Sequence, residues 1–148
     1  MLSTKTGKIS MKTCIYNASG VGCRTHQELL KLNSCVDVGA VISKSTTLFP
    51  RDGNEEPRYW DNDILSINSS GLPNKGYKYY NDIANKIKNK PYFVSVSGLT
   101  LEDNKTIITE LSQNDKISSI ELNLSCPNVI GKPQVGYDQK SIYKTLFE

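Results

Sequence analysis

The residues best suited to chemistry in this chain are Cys126 and the carboxamides around it, Asn123 and Asn128. A free thiol has a pKa of about 8.5, within reach of general-base work near neutral pH, and carboxamides on either side can hold the polar edge of a ligand. The set closes the stretch ISSIELNLSCPN, in which Ile120, Leu122 and Leu124 alternate as in a buried strand. Pro127 cannot donate to a sheet ladder and ends that strand, so the thiol belongs at its carboxyl end, where parallel α/β proteins bind ligands. Other polar clusters occupy comparable positions. Lys44 with Ser45, Thr46 and Thr47 follows an apolar run, and a lysine there either snorkels to water or holds an anion. Asn17-Ala18-Ser19-Gly20 is either a plain turn or a place where a ligand approaches the backbone closely.

The elements that must position these groups alternate in type. Residues 1 to 13 carry a turn signal and suit a small hairpin at the rim of a sheet. Cys14-Ile15-Tyr16 reads as a first strand, and Thr25-His26-Gln27-Glu28 as a capping box that opens a helix to about Leu32, with His26 exposed in its first turn. Residues 36 to 43, VDVGAVIS, form a second strand apolar enough to be covered on both faces. A long turn-rich loop covers 51 to 58, and Ile64-Leu65-Ser66-Ile67 leads into a Gly/Pro/Asn segment from Asn68 to Gly76. Tyr80, Ile83 and Ile87 give one apolar face to a helix from about Tyr77 to Lys88. Tyr92 to Val96 is a third strand, Thr100 and Asp103 cap a helix with Ile107, Ile108 and Leu111 inward, and Ser141 to Phe147 starts another. Strand and helix alternate four times, which implies a parallel sheet with right-handed crossovers and polar clusters delivered to one rim.

The bulk numbers exclude several classes. With 148 residues, 37% hydrophobic and 22% charged, the chain is an ordinary globular protein, short of the roughly 250 residues of a complete (β/α)8 barrel. Its net charge of +3 comes from scattered lysines, not from an Arg-rich stripe, so no nucleic acid partner is expected. The four cysteines show no metal spacing and the single histidine completes no set, so no metal is expected and the thiols are read as reduced. Neither a secretory signal nor a membrane span is visible.

Five segments in order resemble the cytosolic, fumarate-linked class 1A dihydroorotate dehydrogenases: NASG at 17 to 20, SKSTT at 43 to 47, RDGN and PR at 51 to 58, INSSGLPNKGYKYY at 67 to 80, and ELNLSCPNVIGKPQ at 121 to 134. The resemblance implies a cytoplasmic enzyme of pyrimidine biosynthesis that oxidises dihydroorotate to orotate with FMN and fumarate. It makes Cys126 the base that takes a proton from C5 of the substrate, and Lys44 and Asn123 contacts of both flavin and substrate. Ser19, Gly20 and Ser45 match flavin contacts, and Asn68, Ser69, Ser70, Gly71, Leu72 and Asn128 match the pyrimidine cradle. Ser70 departs from the bulkier apolar residue often found in that loop. The resemblance covers the first half of a TIM (β/α)8 barrel. The family's later flavin lysine, a further Asn/Ser pair and the Gly-rich phosphate loops have no counterpart in the chain. Taken alone it is therefore expected to retain no FMN, and to form a homodimer or self-associate through its open edges. The alternative reading is a non-catalytic remnant or interaction module that binds no flavin.

Overall fold

The computed structural model describes residues 2–129, 131 and 134–147. Ile130, Lys132 and Pro133, which carry part of the last matching segment, lie outside them. The N-terminal hairpin forms as expected, β1 (Thr4–Thr6) pairing antiparallel with β2 (Ile9–Met11). Met11 packs with Ala40, Ile42 and Phe93, so the hairpin covers one end of the main sheet.

That sheet is parallel and holds three strands in the order β3 (Val41–Ile42), β6 (Tyr92–Val96), β7 (Ser119–Leu122). Right-handed βαβ logic puts helices against it. Here α1 (His26–Ser34), α2 (Tyr77–Ile83) and α3 (Leu101–Ser112) bury Leu29, Tyr80, Ile83, Ile107 and Leu111 against Val41, Val94 and Val96. Between α2 and β6 the chain continues as a 3-10 turn, Ala84–Lys86, which makes the helix shorter than its apolar spacing implies. A final helix, α4 (Gln139–Phe147), follows β7. Among the described residues no helix is long and apolar enough to cross a membrane.

Both capping boxes form. Glu28 N donates to Thr25 Oγ1 at 3.3 Å while Thr25 N donates to Glu28 Oε2 at 2.7 Å. At α3, Asp103 N donates to Thr100 Oγ1 at 3.0 Å. Thr100→Ala orphans that amide and is expected to lower the unfolding free energy by about 1 kcal/mol, read as a shifted urea midpoint at unchanged slope.

Several expectations change. The strand at 36 to 43 shrinks to Val41–Ile42, because Cys35 and Val38 spend their amides in a turn onto Leu32 and Cys35, and Val36 is 73% exposed. Cys14 to Tyr16 contributes a single bridge, Tyr16 to Ala40, with Gly39 N donating to Ile15 O at 2.8 Å. The strand that delivers Cys126 is not buried: β7 ends the sheet, and its residues alternate between exposed and half-buried. His26 is half-buried, its Nε2 shielded from solvent, because α1 lies against Tyr79, whose hydroxyl accepts from His26 N at 2.8 Å. Between the two polar loops stands an unexpected antiparallel hairpin, β4 (Tyr59–Asp61) with β5 (Ser66–Asn68). Asn62 Oδ1 closes its turn by accepting from the amides of Ile64 and Leu65.

Candidate functional site

The carboxyl ends of the strands and the loop after β5 enclose a cavity of about 510 Å³, within the usual range for small-molecule sites. Every candidate residue except Ser69 lines it. Ser69 is exposed, and its hydroxyl and carbonyl accept hydrogen bonds from Asn54 instead of facing the cavity.

Ser19 and Gly20 are held there by Asn17. Its carboxamide acts as a piece of strand: Nδ2 donates to Ile42 O at 2.8 Å and Oδ1 accepts from Ile42 N at 3.0 Å. Buried Asn74 does the same for the loop that carries Gly71 and Leu72, donating to Leu72 O at 2.8 Å and Thr47 Oγ1 at 2.9 Å while accepting from Gly76 N at 2.8 Å. Gly71 has φ +71°, in the left-handed region where glycine is favoured.

A chain of hydroxyls runs along one wall. Ser19 Oγ donates to Glu121 Oε1 at 2.9 Å, Ser45 Oγ donates to Ser19 Oγ at 3.3 Å, and Asn123 Nδ2 donates to Ser45 Oγ at 3.1 Å. Ser45 lies 3.0 Å from Ser95 Oγ, and since its own proton is committed to Ser19, Ser95 is the donor. The hydroxyls therefore all point toward the Glu121 carboxylate.

On the opposite wall, Asn128 Nδ2 donates to Asn68 Oδ1 at 3.0 Å, and Ser70 Oγ donates to the same oxygen at 3.0 Å. Cys126 is a free, half-buried thiol between these walls. Its turn is set by Ser125 N donating to Asn123 Oδ1 at 3.0 Å.

Among the described residues, Lys44 supplies one of the two cations that line the cavity, the other being Arg24. Lys44 is half-buried, and among the described residues its ammonium makes no hydrogen bond or ion pair. Desolvation lowers its pKa, opposed by the negative potential of Cys23 and Cys126. An unpaired, partly desolvated cation favours an anionic or electron-rich ligand. The donor set fits FMN as well as substrate: hydroxyls and amides for the polar edge of a flavin, Lys44 for its electron-rich side, and at Gly20 open space where a Cβ would meet nothing within 4 Å.

The sequence reading missed Asn17, Glu121 and Ser95 as parts of this site. The one available signal was Glu121, a carboxylate between apolar Ile120 and Leu122. Cys23 was also missed. It is fully buried, its thiol 3.5 Å from the carbonyls of Ala18 and Gly20, and burial pushes its pKa from 9.0 up to about 11. A folded-state value above the unfolded one stabilises fully below the unfolded pKa and is lost as pH rises toward the folded one. The stability advantage of the wild type over Cys23→Ala should therefore shrink between pH 9.0 and about 11. Lys44, whose lowered pKa favours folding as pH rises, is common to both proteins. Urea titrations at several pH values check this, and a constant difference would contradict it.

The family model for dihydroorotate dehydrogenase matches residues 1–147. A Streptococcus equi protein named dihydroorotate dehydrogenase A (fumarate) is 45% identical over 140 residues, covering 92% of this chain and 45% of that protein. A Streptococcus pyogenes protein of the same name is 44% identical over 152 residues, covering 99% of this chain and 49% of that one. The chain thus spans about half the length of the relatives it matches. A crystal structure of ligand-free DHODH from Eimeria tenella superposes with a TM-score of 0.77 at 17% identity, over 97% of this chain and 44% of that one. At that identity the likeness speaks to the fold, which is α/β and part of a (β/α)8 barrel. The chain belongs to the dihydroorotate dehydrogenase family.

Proposed function

We propose that the protein oxidises dihydroorotate to orotate in the cytoplasm, with FMN as cofactor and fumarate as final electron acceptor, as part of pyrimidine biosynthesis. The observation that carries the reading is the meeting of Cys126, Lys44 and the carboxamides of Asn68, Asn123 and Asn128 in one cavity. Those carboxamides offer both donors and acceptors, suited to a ring edge of alternating N–H and C=O groups. Lys44 favours the substrate carboxylate and the negative charge that builds as C5 gives up its proton. Cys126 Sγ, as thiolate, takes that proton and becomes the thiol, which later returns it to water. Loss of the C5 proton together with a hydride from C6 leaves the C5–C6 double bond of orotate. When bound, FMN supplies the two-electron acceptor for this oxidation. Ser19, Gly20 and Ser45 fit the flavin side of the cavity.

The proposed span is the N-terminal half of the barrel, and association of copies belongs to the same reading. It is supported by the outer edge of β7 and by Tyr143 and Phe147 on α4, which are 65% and 72% exposed. The test is anaerobic addition of dihydroorotate to the FMN-loaded protein formed by completing the chain with the remaining portion of the Streptococcus equi relative, beside the chain alone, which is expected to retain no FMN. Bleaching of the visible flavin band in the completed protein is expected. Failure to bleach there would overturn the reading.

A further inference from the structure

Asn54 does not line the cavity, yet it touches two of the loops that wall it. Its Nδ2 donates to Ser69 O at 2.9 Å, to Ser69 Oγ at 3.0 Å and to Asn128 O at 2.9 Å. Two N–H groups serve three acceptors, so two of the acceptors share one hydrogen. The amide's orientation follows from its partners, since the flipped form would turn a carbonyl oxygen onto the carbonyls of Ser69 and Asn128.

The backbone around it is equally committed. Asn54 N donates to Ser70 O at 3.1 Å, and Arg58 Nη1 donates to Asn54 O at 3.1 Å and Asp52 O at 2.6 Å. A Cβ on Gly71 would stand 2.3 Å from Asn54 Oδ1, so the carboxamide occupies the space that this glycine leaves. The contact to Asn128 bridges 74 residues of sequence and falls two residues from Cys126. Asn128 in turn reaches Asn68, so the two loops are tied at two points.

We infer that Asn54 is a positioning residue: its carboxamide clamps the Cys126 to Asn128 turn against the Asn68 to Leu72 segment and sets where the thiol stands in the cavity. What the thiol then does rests on the proposed function, but the clamp itself does not. Without the Nδ2 donor, Asn128 O is left seeking water, the turn opens outward and Cys126 moves from half-buried to accessible. Asn54→Asp should act like Asn54→Ala, because a carboxylate placed against two carbonyl oxygens repels them. Asn54→Gln keeps the donor on a longer arm and should restore part of the contact.

The test is alkylation of the full chain with iodoacetamide, followed residue by residue by peptide mass spectrometry, with buried Cys23 and exposed Cys14 as internal references. Asn54→Ala and Asn54→Asp are expected to speed alkylation of Cys126 by roughly five- to tenfold, the scale of one or two hydrogen bonds. The factor should be the same across the neutral pH range, as for a change of access. Cys23 should remain as slow as in the wild type, and Asn54→Gln should fall between wild type and Asn54→Ala. An unchanged Cys126 rate would overturn the assignment. So would a parallel rise at Cys23, which reports general opening of the fold. Flavin plays no part in this readout. If the unsubstituted completed protein fails to oxidise dihydroorotate while Asn54→Ala selectively releases Cys126, the enzymatic reading falls and the clamp stands.

Discussion

In the barrel completed with the remaining portion of the Streptococcus equi relative, the proposed function predicts that Cys126→Ser lowers the rate of dihydroorotate-dependent flavin reduction by about 10² to 10⁴, the usual contribution of a positioned acid–base group. A hydroxyl in the same place retains the size and hydrogen-bonding capacity of the thiol but is a far weaker base near neutral pH. Binding of orotate should stay within a small factor, since Asn68, Asn123, Asn128 and Lys44 still line the cavity. The loss therefore belongs to the rate and not to affinity. Stopped-flow traces of flavin absorbance under anaerobic conditions separate the two, with the ligand dissociation constant from equilibrium titration. The residual rate of the serine protein should climb with pH, as more of a weak base is ionised. Unchanged flavin reduction at neutral pH would remove Cys126 from its role.

Lys44→Met should produce the second large effect, in opposite directions for binding and for folding. The ammonium is partly desolvated and, among the described residues, has no carboxylate partner. A charged hydrogen bond to the ligand is worth about 1.5 to 3 kcal/mol, so orotate affinity is expected to fall by roughly ten- to a hundredfold. The empty protein, freed of a poorly hydrated charge at the mouth of β3, should become more stable below the ordinary lysine pKa. The sign follows from linkage: a lysine whose folded pKa is lowered disfavours folding while it stays protonated, and that penalty disappears as pH rises through the folded and then the unfolded value. The stabilisation by methionine should thus be greatest near neutral pH and fade in alkaline solution. Isothermal titration with orotate and urea unfolding of the empty protein measure the two effects. A variant that binds orotate as tightly as the wild type would show that Lys44 only snorkels to water.

Much of this molecule is local and so could be read directly from residue order. Both capping boxes, the buried stripe of Ile107 and Leu111, and the strand Tyr92 to Val96 depend on groups within a few positions of one another. The candidate residues at the strand ends were equally legible, because Pro127, Gly20 and the polar run after Ile42 punctuate apolar segments. What escaped the sequence depends on distant partners. The strand pattern of Ile120, Leu122 and Leu124 is that of a buried strand, but burial is a property of neighbours, and β7 ends its sheet. The hairpin of β4 and β5 is exposed on every residue, so no apolar alternation marks it. Ser69 and Ser70 are indistinguishable in sequence, and only the approach of Asn54 turns one outward while the other joins the cavity. Asn17, Asn54 and Asn74 look alike as loop asparagines. Their roles came from the tertiary fold, which brought the carboxamides of Asn17, Asn54 and Asn74 to backbone groups 25, 74 and 27 residues away. Residue types and local spacing thus determined which chemistry the chain could host. The packing of its loops decided which of those side chains face a ligand and which hold the others in place, because a hydrogen bond between distant segments leaves no periodic trace in either one.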